Sequence, residues 1–498
     1  MALRLRILLD TNILIPLQDS LVVLQPNLAH VHQLCNGRHE LLYHPASRRD
    51  IQRDNDAARR VRTLRRLDLY SELPEGPACP WNVPGTSEND KCDNSILFAL
   101  ERDAAHVLVT EDRGLHRKAL ARNLASRVYF IQTIEDLLSR LHEPAAVELP
   151  DIIDVELNEL TPQLADPFFN SLRDGYAGFD RWYRAKAREG RHAWIYRHGP
   201  ANDLSAICIY AVQTDEAFTD AGDELAGRAL KLCTFKVGEL VRGRKIGELF
   251  LKMAFRYATA NACEHVFIDV REDDDPDQSH PELVALLVDF GFERRGTHNG
   301  DRVFVKRHPV AAPVADPRAL DPFDYTRSFY PHFRSDLAIR KFIIPIRPQY
   351  HRVLFPDCPG NEEQRPNGHG EHVGNAIKLA YLSHSPSAQI RRGDVVLFYR
   401  GYDSHAVTTL VVAEEFRTLT DANEIAQLVS RRTVYTDNEI EAMVQHPSGV
   451  RVMLFRTIEH FDHPVSRAAL PAAVRGNIQS TRLISDDTFS RILRAAGR

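Results

Sequence analysis

At 498 residues the chain is too long for one ordinary core, and at roughly 100 to 200 residues per domain it divides into about three. Its 43% apolar and 26% charged residues are a globular composition, and a net charge of -5 excludes a generally basic nucleic-acid coat while leaving room for local basic patches. No run approaches the ~18 apolar residues of a bilayer span, Arg4, Arg6 and Asp10 break the amino-terminal apolar stretch, and the 7 cysteines include no CxxC pair, so a cytoplasmic protein with no membrane partner is expected.

Two stretches rich in Pro and Ala, "HEPAAVELPDI" and "HPVAAPVADPRALDP", read as linkers and predict three segments, 1–142, 153–308 and 323–498. In the first, "RLRILLD" reads as a strand, "LAHVHQLCNG" as a helix stopped by Gly37, and "ELLYHP" as a second strand. "ASRRDIQRDNDAARRVRTLRRL" then reads as one long helix entered through Pro45. Within it, eight Arg against three Asp offer a grip on a phosphate backbone or simply a solvated face. A helix at "CDNSILFALERDA" leads to the strand "HVLVTED". Alternating strands and helices predict a three-layer α/β fold with a parallel sheet, whose ligands sit at the carboxyl ends of the strands, where Asp10 and Asp112 fall. Taken singly, each would cap a helix or start a turn.

A strand ending in "LLDTN", a helix opening with "DNSILFAL" and a strand ending in "LVTEDRGL" together resemble the PIN-domain ribonucleases. The resemblance implies that Asp10, Asp93 and Asp112 hold Mg²⁺ or Mn²⁺, with Asp50, or Asp54 one turn on, as a further catalytic acid. Asp90 would replace or assist Asp93, and Thr11 or Asn12 would orient a ligand or water. Such a metal relieves the repulsion between carboxylates, activates bound water and stabilises charge on a phosphodiester.

The second segment offers strands at "DLSAICIYAV", "RALKLCTFKVGEL", "HVFIDV" and "DRVFVKR", with helices at "KIGELFLKMAFRYATANAC" and "PELVALLVDF". This succession, with "VRGRKIG" at a turn into a helix, resembles the GNAT acyltransferases, an α+β fold. The resemblance implies acetyl-CoA bound by its pyrophosphate at Arg242, Gly243, Arg244, Lys245 and Gly247, where helix amino-terminal N–H groups attract anions. Lys245 occupies the place of the first motif Gly, and Leu287 that of the Tyr which protonates the departing thiolate in many members. His280 and Tyr257 are substitutes for that acid, and Glu239 is a candidate general base.

The third segment is strand-rich at "RKFIIPIRPQYHRVLFP", "GDVVLFYRGYDSHAVTTLVVAEEF" and "GVRVMLFRTIEHF", with helical text at "DANEIAQLVSRR" and "DNEIEAMVQ". "IRRGDVVLFYRG" and the closing "AVRGNIQSTRLISDDTFSRIL" resemble the PUA-like pseudo-barrels of the ASCH and EVE branches. The resemblance implies an RNA-binding pocket near Gln479 and Ser480. Arg391, Arg392 and Arg400 would meet phosphate and Tyr399 or Tyr402 would stack on a base. "NGHGEH", with His369 and His372, reads as a loop. The expectation is a multidomain α/β and α+β enzyme directed at RNA, tRNA or mRNA, combining a metal-dependent ribonuclease with an N-acetyltransferase. Toxin-like or RNA-modifying roles, with a protein antitoxin as candidate partner, follow by family analogy alone. The alternatives are an acetyltransferase whose other domains only dock RNA, or a non-catalytic RNA-binding regulator.

Overall fold

A computed structural model describes all residues except 1–3, 14–25, 36, 54–55, 68–69, 85, 143–149, 200, 239–240, 242–243, 272–279, 314–319, 360–373, 386–389, 430–431, 433–434 and 477. Contacts divide the chain into two compact units, one of residues 1–148, 242–244 and 419–449, the other of residues 149–241, 245–418 and 450–498. Each is discontinuous in sequence.

The first unit runs β1 (Arg6–Leu9), α1 (Pro26–Cys35), β2 (Glu40–Tyr43), α2 (Pro45–Gln52), α3 (Ala57–Leu67), β3 (Ser71–Glu72), α4 (Glu88–Glu101), β4 (Val107–Val109), α5 (Arg113–Ala121), β5 (Val128–Tyr129) and α6 (Ile131–His142). Its strands lie in the order β3-β2-β1-β4-β5, and every pair is parallel. β1 and β4 are buried apolar runs, as strands covered on both faces must be. Gly37 stands at φ 72, beyond the end of α1, where a side chain would be strained. The long Arg-rich helix is instead two, α2 and α3, with Arg53 as the C-cap of α2, its N–H held by Asp50 O and Ile51 O. α4 begins a turn earlier than "CDNSILFAL" suggested, because Ser87 caps it by accepting the Asp90 N–H at 3.1 Å.

In the second unit, β6 (Ile152–Glu156), α7 (Asn170–Gly175), α8 (Phe179–Arg188), β7 (His192–His198), β8 (Asp203–Thr214), β9 (Arg228–Val237), α9 (Ile246–Ala260), β10 (His265–Val270), α10 (Pro281–Asp289), β11 (Glu293–His298) and β12 (Asp301–Arg307) build a sheet ordered β11-β12-β10-β9-β8-β7-β6. Only β9 and β10 pair in parallel there. α11 (Pro322–Phe329), β13 (Lys341–Ile346), α12 (Pro348–Leu354), β14 (Lys378–Ser383), β15 (Val395–Arg400) and β16 (Ala406–Leu419) follow. Where "RPQYHRVLFP" was expected to extend a strand, Pro348 opens α12, its fixed φ suiting a first helical turn. α13 (Ala422–Val429) and α14 (Asp437–Val444) belong to the first unit, α13 touching the turn Ala125–Arg127 and α14 touching α6. β17 (Val450–Ser466), β18 (Arg482–Ile484) and α15 (Asp486–Ala495) return to the second, completing a six-stranded sheet ordered β14-β17-β16-β15-β13-β18.

Residues on both sides of the 308–322 stretch share one hydrophobic core. Trp194, Phe250 and Phe290 from one side and Ile343, Leu397 and Ile492 from the other belong to the same buried cluster. Ion pairs reinforce it: Asp357 accepts from Lys252 of α9 at 2.9 Å and Arg256 at 2.5 Å, and Asp289 of α10 accepts from Lys378 at 2.6 Å and Arg456 at 2.7 Å. No helix among the described residues is long and apolar enough to cross a membrane.

Candidate functional sites

In the first unit the strand order reverses between β1 and β4, the switch point at which α/β sheets bind ligands. Asp10 closes β1 there, 5% exposed, its N–H held by Val109 O at 3.0 Å. Its carboxylate accepts from Thr110 Oγ1 and from the Thr11 N–H, both at 2.7 Å. Burial, with repulsion from Asp93 and Asp112, pushes the Asp10 carboxyl up to about 7 despite these bonds. Burial raises Asp93 too, although Lys118 Nζ lies 2.9 Å from it. Lys118 also pairs with Asp90 at 2.6 Å and, with Ser87, draws that carboxyl below its usual range. Asp112 caps α5, one oxygen accepting the Gly114 N–H at 2.6 Å and the Leu115 N–H at 3.4 Å. Asp50 pairs with Arg53 at 2.7 Å, and Asp54 lies outside the described residues. Asn12 bridges the two strand ends, donating to Thr110 Oγ1 at 3.2 Å and accepting from the Glu111 N–H at 3.3 Å.

The oxygen donors suit Mg²⁺ or Mn²⁺, and the buried Thr11 hydroxyl has no hydrogen-bond partner beside Asp10. Their convergence does not suit it. Among the described residues no three His, Cys, Asp or Glu groups come close enough to hold a metal ion. Asp112 is engaged as a cap and Asp93 by Lys118, so the expected ligand set Asp10, Asp93 and Asp112 is a shared electrostatic field rather than a coordination shell. Thr110 and Lys118 were missed in the sequence; "LVTED" offered the first, but nothing local tied Lys118 to residues 25 and 28 positions earlier.

In the second unit the parallel pair β9 and β10 is in register from Ala229 opposite His265 to Leu232 opposite Ile268, and then parts. β9 runs on to Val237, still bonded to β8 on its other side, and β10 to Val270, so the sheet opens between them. α9 follows β9. Lys245 precedes it at φ 62, the left-handed conformation in which glycine is at ease. Its ammonium reaches Lys378 O at 3.4 Å. A Cβ on Gly247 would lie 3.0 Å from Leu286 of α10, so this glycine also serves close helix packing. Arg244, in the first unit, lies 3.5 Å from Asp136 and 4.0 Å from Glu135. Arg242, Gly243 and Glu239 lie outside the described residues.

Leu287 is fully buried in the core. Tyr257 stands about 16 Å along α9 from its first residue, at 1.5 Å per residue, with its ring against Tyr210 and Trp194 rather than near the amino terminus. His280 precedes α10. Its charge is felt by Asp301, which lies just past the end of β10 in register and accepts from the Tyr176 hydroxyl at 3.1 Å. Burial raises the Asp301 carboxyl, with Asp269 adding to it. Neither Tyr176 nor Asp301 stood out in the sequence, since each acquires its setting only from the packed sheet.

Near the carboxyl terminus Arg391 is exposed, but Arg392 pairs with Asp321 and, at 3.0 Å, with Asp324, over the Phe323 ring. Arg400 is buried against Asp403 at 2.6 Å, and Tyr399 is buried. Tyr402 is 76% exposed, Gln479 is exposed and Ser480 half-buried. His369 and His372 lie outside the described residues.

No family model matches the chain, and no curated protein matches it. Among solved structures, an ASCH protein of Zymomonas mobilis is similar at 10% identity over 31% of this chain and 94% of its own, TM-score 0.25. The PaiA N-acetyltransferase of Thermoplasma acidophilum in complex with coenzyme A is similar at 13% identity over 32% of this chain and 99% of its own, TM-score 0.22. A point mutant of the AtaT toxin, bound to the C-terminus of the antitoxin AtaR and acetyl-CoA, is similar at 10% identity over 26% of this chain and 74% of its own, TM-score 0.20.

Proposed function

We propose that the chain is an acetyl-CoA-dependent N-acetyltransferase directed at an RNA-bound or RNA-derived acceptor, with the other parts presenting RNA. The observation that carries the first half is the opening between β9 and β10 beyond Leu232 and Ile268. Past Leu232 and Ile268 the two strands are no longer paired, an opening that suits an extended acyl-pantetheine chain added like a strand. Lys245 and Gly247, at the start of α9, are the residues of the second unit assigned to the pyrophosphate. In the transfer the acceptor nitrogen bonds to the thioester carbonyl carbon, the carbon–sulfur bond breaks, the amine proton passes to a base and coenzyme A leaves as thiolate, protonated by solvent. Asp301, its carboxyl raised, joins Glu239 as a candidate for that base. Arg391, Tyr402, Gln479 and Ser480 are the exposed or part-exposed groups left to meet RNA.

Calorimetry with acetyl-CoA, followed by transfer of radiolabelled acetyl groups into cellular RNA and protein, tests this. Micromolar binding and label in an RNA-associated fraction are expected; absence of acetyl-CoA binding would overturn it. A second reading, cleavage of RNA at the acids of the first unit, is favoured by Asp10 and Asp112 at the switch point of the sheet. It predicts RNA cleavage that Asp10→Asn and Asp112→Asn both abolish, and undiminished cleavage by both variants removes it. If RNA binds without being cleaved, the acids only dock it.

A further inference from the structure

Beyond the far end of α9, on the face of the sheet that this helix covers, lies a recess of about 470 Å³ lined by Asp154, Arg191, His192, Tyr210, Val212 and Tyr257 among others. Asp154 of β6 and the neighbouring strands converge on it. His192 stands opposite Tyr210 across β7 and β8. One Asp154 oxygen accepts from the Tyr210 hydroxyl at 2.5 Å and the other meets His192 Nδ1 at 2.7 Å. A carboxylate only accepts, so the Nδ1 of a neutral His192 carries the proton and its Nε2 is left as an acceptor. Burial and Asp154 keep the Tyr210 hydroxyl protonated, its pKa raised above the usual value.

Arg191 also lines the recess, but adjacent residues of extended chain point to opposite faces, and its guanidinium is turned to Cys233 Sγ at 3.5 Å and Glu189 at 3.3 Å. Among the residues lining the recess Asp154 supplies the negative charge, while the Arg228 guanidinium, outside the lining, acts on Tyr257 with the opposite sign. Two aromatic rings line it: Tyr257 meets Tyr210 edge to face at 4.9 Å, and Tyr210 is backed by the buried Trp194, stacked at 4.0 Å. One carboxylate, an imidazole acceptor and electron-rich ring faces form a setting for a positive charge.

We propose that this recess binds a small organic cation, a primary ammonium that donates to His192 Nε2 and lies against Tyr257 beside the Asp154 carboxylate. The site is separate from the opening between β9 and β10 and does not depend on acetyl transfer.

The test titrates n-butylammonium chloride into the full-length protein while following histidine imidazole resonances, the His192 signal being identified by its loss in His192→Gln. A saturable shift of that signal is expected, with no shift on adding sodium butyrate. Asp154→Asn and Tyr257→Leu should each weaken binding at least tenfold with unchanged circular dichroism; should the first fail to fold, the second decides. No shift in the wild type, equal affinity in the folded variants, or an equal response to butyrate would overturn the proposal. Because acetyl-CoA is absent throughout, this result and that of the acetyl-CoA calorimetry fail independently.

Discussion

Lys245 and Asp10 hold conformations or charge states that their residue types resist. A left-handed backbone costs an ordinary residue about 1–2 kcal/mol, and φ 62 places Lys245 there. Lys245→Gly should therefore stabilise the second unit by about 1 kcal/mol after the extra unfolded-state entropy of glycine is subtracted, read as a raised Tm. On the proposed acetyl-CoA reading, it should also tighten acetyl-CoA by removing a side chain from the proposed pyrophosphate seat. Asp10 has the opposite sign from a salt-bridged acid. Its folded pKa of about 7 lies above that of the unfolded chain, so the folded state binds the proton more tightly and loses stability as pH rises from about 4 to 7. The accumulated penalty is of order 4 kcal/mol at pH 8. Asp10→Asn should raise Tm more at pH 8 than at pH 5, measured by scanning calorimetry; an equal shift at both would mean that the carboxyl titrates normally.

At the scale of elements, α9 and α10 are held by ion pairs with partners from elsewhere in the sequence, the acid Asp357 for α9 and the bases Lys378 and Arg456 for α10. Although burial opposes it, Arg456 and Lys378 hold the Asp289 carboxyl below its usual range, and Lys252 and His460 hold that of Asp357 well below. With folded pKa values depressed, this stabilisation is complete above the unfolded carboxylate pKa near 4 and is lost as pH falls through the lower folded values. Asp289→Asn should flatten the acid limb of the Tm profile below pH 4. Removing Asp357 is more severe, because it leaves the buried Lys252 without its ion-pair partner and only the Asn375 carbonyl at 2.7 Å to accept from it: Asp357→Ala should cost about 3–5 kcal/mol in urea unfolding. A loss below 1 kcal/mol would show that Lys252 reaches water or sheds its proton.

For the whole molecule, the shared core of the second unit makes its two sheets one folding unit. Deleting residues 323–498 strips Ile343, Leu397 and Ile492 from the cluster that holds Phe250 and Phe290, and it takes Asp357 from Lys252 and Arg256. The shortened protein should aggregate or bind hydrophobic dye, with weakened near-ultraviolet circular dichroism, so an RNA-binding role for the carboxyl-terminal sheet is better examined with Tyr402 and Gln479 variants than by truncation. The first unit likewise includes α13 and α14. Residues 1–148 alone should unfold at a lower temperature than when residues 419–449 are restored by fusion, since α13 and α14 cover the Ala125–Arg127 turn and α6.

The sequence by itself determined the local elements and their edges. The apolar runs that became β1 and β4, ending on Asp10 and near Asp112, and the strands β10 and β12, read as drawn, followed from periodicity, because burial and hydrogen-bond period act over a few residues. Tertiary structure alone decided which charges are spent. Lys118 reaches Asp93 across 25 positions and Arg392 reaches Asp324 across 68, while Arg244 faces Glu135 and Asp136. It also decided that residues 419–449 join the first unit and that Asp154, His192 and Tyr210 meet on one face. Ion pairs and shared cores form between surfaces that only packing brings within a few ångströms, and no local pattern records that distance.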